Sequence, residues 1–372
     1  MLTTKKLFEL KIEPPDADIY LAARKKWDGI SKPIDGLGDF ETVVARIAAI
    51  EGTIDPAIDK RAAVIMCADN GIVEEGVSQT GKEITTAVAR ALGAGISTAC
   101  TLGRSARVDI VPVDIGIDCG ELVDGVLDLK VRRGTRNFLN EPAMTSEEAL
   151  LAIERGMDLA GDLAKKGYKA IATGEMGIGN TTTSAAVLSA LLQTDSEGIV
   201  GRGSGLDDAG LHRKTKVVKQ GLLKYGYGEK PDDSCKAIDE ESVEDKKNRA
   251  LDILCNLGGL DIAGLSGLCI GCAINHIPVV LDGVISTTAA LLADSLVPGI
   301  REYLIPSHEG REKGNLMALK ALLLSPLIKG NMALGEGTGA IMLFPLLDVV
   351  FDYFRGGAKF NDYRIDEYKR FD

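Results

Sequence analysis

The stretch YKAIATGEMGIGNTTTSAAVLSALL (168–192) decides the fold of this chain. Tyr168 to Thr173 reads as a strand, GEMGIGN (174–180) as a glycine turn, and the Thr/Ala/Leu run after it as a helix. The same rhythm recurs on both sides. Ala62 to Cys67 runs into Ala68-Asp69-Asn70-Gly71, and Val108 to Ile115 runs into Gly116-Ile117-Asp118. Ile277 to Leu281 runs into Asp282-Gly283 ahead of an Ala/Leu-rich helix. Repeated strand, turn and helix predicts an α/β protein with a parallel sheet flanked by helices. Ligands of such sheets sit beyond the carboxyl ends of the strands, where these turns lie.

Away from this rhythm, residues 1–55 and 338–372 read as helical. They are expected to pack together as a small helical domain beside a large α/β domain of residues 56–337. Thr145 and Glu148 form a capping box ahead of an apolar-periodic helix reaching about Ala164. The polar, acid-rich segment from Lys224 to Asn248 reads as a solvated loop or insertion. Between Asp261 and Asp282, twenty residues carry no Asp, Glu, Lys or Arg, about the length that spans a bilayer. That run is rich in small residues and contains Asn275, His276 and Pro278. A tightly packed helix feeding a buried parallel strand is therefore the expectation.

Composition closes off several functions. With 45% hydrophobic and 26% charged residues among 372, the chain is globular. A net charge of -11, 5% aromatics and the single Trp27 argue against a nucleic-acid partner. The 43 glycines follow no collagen or linker period, so they serve loops that approach a ligand or another backbone. Lys5 and Lys6 precede no apolar core of a signal peptide, and seven cysteines at irregular spacing give no disulfide framework. A reduced, cytoplasmic protein is expected.

Three glycine loops carry chemistry. In GEMGIGNTTT (174–183), Gly174, Gly177 and Gly179 permit close backbone approach, and the threonines open a helix whose free N–H groups favour a phosphate. Glu175 is an acid inside that turn. VGRGSGLDDAGLHRK (200–214) combines Gly201, Gly203 and Gly205 with Arg202, Arg213 and Lys214, again suited to phosphate. LGEGTGA (334–340) places Glu336 between glycines, where a covering ligand would remove water and raise its pKa toward that of a general base.

Other patterns fall short. No loop reads G-x-G-x-x-G, so a dinucleotide fingerprint is absent. The 76–82 segment fits G-x-x-x-x-G-K, but Glu83 stands where Ser or Thr would hold magnesium, and no clean helix start is expected there. Cys269 and Cys272 with His276 lack a fourth metal ligand. Three histidines (212, 276 and 308) are too few for a His-rich metal site, and His308 lies in a polar turn suited to ligand contact. Neither a metal nor a cofactor is expected.

Together these stretches resemble the nicotinate-nucleotide–dimethylbenzimidazole phosphoribosyltransferase family. The matching segments run in the family's order from KPIDGLGDFE (32–41) through ADNGIVEEGVSQTGKEIT (68–85) to LGEGTGA (334–340). The resemblance implies a Rossmann-like sheet domain, a small helical domain built from both termini, and a homodimer. It implies transfer of ribose 5-phosphate from nicotinate mononucleotide to a benzimidazole, with inversion at the anomeric carbon. Glu336 would be the general base, with Glu175 beside it. Substrate contacts would come from Ser78, Lys82, Met176, Gly177, Gly179, Asn180, Arg202, Gly203, Lys214, His308 and Leu334. The chain departs from the family pattern at Asn70, Gly81, Lys82, Gly310 and Asn315, which bears on the base it accepts. A non-catalytic nucleotide-binding protein is the competing reading, and retention of both glutamates speaks against it.

Overall fold

A computed structural model describes residues 1–228 and 241–370. Its strands are β1 (Arg61–Ala68), β2 (Asp109–Gly116), β3 (Leu127–Asp128), β4 (Ala170–Met176), β5 (Val279–Leu281), β6 (Leu304–Pro306), β7 (His308–Gly310) and β8 (Ile328–Met332). The helices before β4 are α1 (Thr4–Glu9), α2 (Ala17–Asp28), α3 (Asp39–Glu51), α4 (Glu83–Gly93), α5 (Thr98–Ala106) and α6 (Ser146–Lys165). Those after it are α7 (Asn180–Leu192), α8 (Asp208–Lys224), α9 (Val243–Leu257), α10 (Leu260–Ile274), α11 (Val284–Leu296), α12 (Lys313–Ala321), α13 (Thr338–Gly356) and α14 (Phe360–Tyr363).

Six strands form one parallel sheet in the order β3-β2-β1-β4-β5-β6, and β7 pairs with β8 apart from it. Every residue of β1 is buried, as expected of a central strand covered on both faces. Its side chains alternate between two cores. Ala62, Val64 and Met66 join the core that holds α6, α7, α9, α10 and α11. Ala63, Ile65 and Cys67 join the core that holds α2, α3, α5 and α13. The result is a doubly wound three-layer α/β fold.

The uncharged run becomes α10 and β5. Gly156 of α6 and Gly267 of α10 each leave no room for a Cβ, because the facing helix backbone occupies that space. Small residues therefore bring two helix backbones into contact, and α10 is buried along its length except at its last residue. Among the described residues no helix is long and apolar enough to cross a membrane.

The terminal helices meet on one face. Trp27 packs on Phe354 with ring centroids 4.8 Å apart, and Ile30 bridges to Lys359. Leu7 of α1, by contrast, joins the core on the other face of the sheet. Two local readings need correction. Val243–Leu257 is a helix capped by Ser242, because Ala250, Leu251, Ile253, Leu254 and Leu257 supply a buried stripe beneath the charges; residues 229–240 of that acid-rich segment lie outside the described residues. Glu83 opens α4 cleanly, with Lys82 in the capping position, yet 76–82 follows a short 3-10 turn (Gly71–Glu75), where a phosphate-binding P-loop follows a strand.

Candidate active site

A cavity of about 370 Å³ opens beyond the carboxyl ends of the sheet, where the turns after β4 and β5 meet the 77–80, 202–204 and 332–338 segments. Of the residues singled out from the sequence, Ser78, Glu175, Met176, Gly177, Gly179, Asn180, Arg202, Gly203, His308, Leu334 and Glu336 line it. Lys82 and Lys214 do not.

Glu175 stands at the end of β4 with its carboxyl group enclosed. Burial pushes its pKa up to about 8; a hydrogen bond from Asn180 opposes the rise, and the charges of Asp261, Asp282 and Glu336 add to it. The same Asn180 amide nitrogen donates to Asp261 Oδ2 at 3.1 Å. Asp261, fully buried at the start of α10, has its pKa raised by burial to about 6. One amide thus serves two acids. Gly177 makes this possible, since a Cβ there would meet the Ala68 carbonyl and crowd Asp261.

Glu336 is brought over the end of β4 by three consecutive left-handed residues, Gly335, Glu336 and Gly337, with φ of 88°, 54° and 72°. A non-glycine residue in that conformation stores strain, a property concentrated at functional sites. Glu336 is half-buried, and its Oε2 accepts the Ala99 N–H at 3.2 Å in the first turn of α5. Behind this loop Asp282 accepts the N–H groups of Gly339 at 2.8 Å and Ala340 at 3.2 Å. Burial raises the Asp282 pKa and the nearby His308 draws it back; His308 Nδ1 lies 3.9 Å from Asp282 and 2.9 Å from Ser307 Oγ.

On the opposite wall, the 201–205 loop follows Val200. Arg202 is turned onto Asp208 and the Leu206 carbonyl. Lys214 is fully buried behind that wall, donating to Thr181 Oγ1 at 2.8 Å, and burial lowers its pKa to about 8. Lys82 is exposed and paired with Asp118, which also holds Arg133. Cys269 and Cys272 are buried inside α10, while His276 meets the Tyr303 hydroxyl at 3.1 Å, so they form no common site.

A family model described as phosphoribosyltransferase matches residues 12–365. A nicotinate-nucleotide–dimethylbenzimidazole phosphoribosyltransferase of Acetivibrio thermocellus is 40% identical over 99% of this chain and 98% of its own length. The chain belongs to that phosphoribosyltransferase family. A family member of Geobacter metallireducens is 39% identical, with 91% of each chain covered. The crystal structure of CobT from Thermus thermophilus superposes with a TM-score of 0.84 at 34% identity, covering 94% of this chain and all of that one. The Rossmann-like sheet expected from the family resemblance is thus the fold of a phosphoribosyltransferase.

Sequence reasoning gave no role to Asp261, Asp282 and Glu312, and noted Asn70 only as a departure from the family pattern. The first two flank the uncharged run, one at a helix start and one at a strand end, and lone acids at such places read as helix caps. Their placement at the carboxyl edge of the sheet was the available signal. Asn70, which accepts a hydrogen bond from Thr183 Oγ1 at 3.0 Å, lies in the turn after β1.

Proposed function

We propose that the chain transfers ribose 5-phosphate from nicotinate mononucleotide to 5,6-dimethylbenzimidazole or a related aromatic base. The products are α-ribazole 5′-phosphate and nicotinate, with inversion at the anomeric carbon. The observation that carries this reading is the convergence of Glu175 and Glu336 on one cavity at the carboxyl edge of the sheet, beside an apolar wall of Ile84, Met176, Ile178 and Leu334. A planar heterocycle suits that wall, and a mononucleotide suits the glycine loops opposite.

The chemistry follows from the residues. A ring nitrogen of the acceptor attacks the anomeric carbon as the bond to nicotinate breaks on the other face of the ribose. Nicotinate leaves with the bonding pair, which neutralises its pyridinium nitrogen. The acceptor's second ring nitrogen then carries a proton that must depart, and Glu336 takes it as general base, an effect worth roughly 10²–10⁴-fold. The ribose passes through a cationic, oxocarbenium-like state. At neutral pH Glu175, with its pKa near 8, carries a proton and offers a hydrogen bond, while Asp261, with its pKa near 6, supplies the negative charge behind it. Holding donor and acceptor in line on opposite faces accounts for much of the remaining acceleration. Thr181 and the 201–205 loop face the phosphate, with Lys214 behind them.

Incubation with nicotinate mononucleotide and a panel of benzimidazoles, purines and phenols, read by mass, tests the reaction. Nicotinate and an α-linked nucleotide are expected. Donor binding without nicotinate release for any base would favour a binding protein instead. Glu336→Gln is expected to fold and bind the donor while losing most turnover; wild-type rates in that variant remove Glu336 from the mechanism.

We also propose that the enzyme is cytoplasmic and works as a homodimer. Met342, Leu346 and Val349 form an exposed apolar row on α13 next to the Glu336 loop, and a second copy is the occupant that suits it. Sedimentation of Val349→Asp as a monomer supports that assembly; an unchanged dimer places the contact elsewhere.

A further inference from the structure

Glu312 immediately precedes α12, yet its carboxylate makes no hydrogen bond to its own helix. It crosses to the 201–205 loop instead, where Oε1 accepts the Gly203 N–H at 3.0 Å. A Cβ on Gly201 would fall 1.9 Å from Glu312 Oε2, so a larger residue there would push this carboxylate aside. Gly203 itself has a φ of 54°, so the loop conformation that presents this N–H favours glycine.

Behind the loop lies Lys214. A Cβ on Gly203 would come within 3.3 Å of its Nζ. The Nζ donates to Thr181, and Glu312 is the acid whose charge acts on it. The neighbouring charges are engaged elsewhere: Arg202 with Asp208, Arg213 with the Gly76 carbonyl, and Glu197 with Lys219. A buried ammonium without a counter-charge sheds its proton readily, because low-dielectric surroundings disfavour the charged form.

We infer that Glu312 is a positioning residue for the transfer, its carboxylate fixing the 201–205 loop through the Gly203 amide and keeping the buried Lys214 cationic behind the donor's phosphate. This rests on the phosphoribosyl-transfer reading of the site. Glu312 contacts neither the reacting carbon nor the aromatic base; it acts through the loop and the lysine.

Glu312→Gln separates the two roles, because the amide oxygen still accepts from Gly203 while the charge is gone. Two readouts are needed: the donor KM from pH 6 to 9, and the titration of Lys214 in protein carrying ¹³Cε-labelled lysine, with the resonance assigned from Lys214→Arg. In Glu312→Gln the Lys214 midpoint is expected to fall by about one pH unit, which is a tenfold change in the protonation equilibrium. The rise in KM with pH shifts down by the same amount, and at pH 8 the donor KM increases roughly fivefold, with the loss falling on KM rather than kcat. Glu312→Ala, which also frees the loop, raises KM across the whole pH range.

Superimposable Lys214 titrations in wild type and Glu312→Gln would overturn the inference. So would tighter binding of inorganic phosphate by Glu312→Gln, which would make Glu312 a competitor for the anion seat. If the wild type turns over no donor, the transfer reading fails by itself, and the Lys214 titration still decides whether Glu312 supplies the counter-charge.

Discussion

Asp282 Oδ1 accepts the backbone N–H of Gly339 at 2.8 Å and so ties the end of β5 to the first turn of α13. The first turn of a helix has N–H groups without helical partners, and a buried acid beside them satisfies both hydrogen bonding and the local dipole. Because α13 begins two residues after Glu336, this one carboxylate sets where Glu336, the proposed general base, stands.

Asp282→Ala leaves the Gly339 and Ala340 N–H groups buried without a partner. The expected cost is roughly 2–4 kcal/mol of folding stability, since each such orphan costs about 1–3 kcal/mol. The freed loop lets Glu336 wander, and kcat is expected to fall about 10²-fold, as for other small misplacements of a reacting group. Chemical denaturation and steady-state rates check both. Full turnover in a destabilised variant would separate Asp282 from the positioning of Glu336.

Asn180→Ala removes the donor shared by Glu175 and Asp261. Both acids lose a hydrogen bond that favours their charged form, so both pKa values rise. The acid limb of the kcat/KM profile is expected to move to higher pH by about one unit, with a lower plateau. An unmoved limb assigns the titration to another group.

Lys82→Ala is expected to change donor and base KM less than about twofold, because an exposed ion pair such as Lys82–Asp118 contributes ~1 kcal/mol or less and Lys82 lies outside the cavity wall. The pair pushes Lys82 up and Asp118 down, so each charge is committed to the other across the working pH range. A tenfold loss of base affinity would show that Lys82 swings into the site when the base arrives.

Much of the sheet was legible because each of its four longer signals ended in a glycine turn at the carboxyl edge, and one of those turns carried Glu175, which meets Glu336 of the separate 334–340 loop in the cavity. Glu175 and Glu336 stood out because an acid between glycines is an odd choice for a bare anion seat. Asp261, Asp282 and Glu312 did not stand out, since their partners are backbone groups or side chains far away in sequence: Glu312 and Gly203 are 109 residues apart. Burial was the other hidden quantity. Sequence reasoning expected a covering ligand to desolvate Glu336; the raised pKa of Glu175, set by its burial and by its acidic neighbours Asp261 and Asp282, could not be read from the sequence. The α9 helix escaped notice for the opposite reason: its polar face dominated the composition and masked a buried stripe.

The enclosure of Glu175 also predicts how stability varies with pH. Its pKa in the folded protein is about 8, against roughly 4.3 for an exposed glutamate. The folded state therefore holds a proton that the unfolded chain has released between those two values. Stability contributed by this group is fully present below pH ~4.3 and declines as pH rises toward 8, at about 1.4 kcal/mol per unit at most. Glu175→Gln keeps the shape and an acceptor for Asn180 but has no charge to bury. The variant and wild type should unfold alike near pH 4, with the variant gaining steadily above it and leading by roughly 2–4 kcal/mol at pH 8. The carboxamide still donates a hydrogen bond where the protonated acid does, so kcat at neutral pH is expected to hold near the wild-type value while stability climbs. Thermal unfolding across pH 4–8 measures the first effect and turnover the second. Equal stability at pH 8 would mean that water reaches this carboxylate and that Glu175 enters the reaction already ionised.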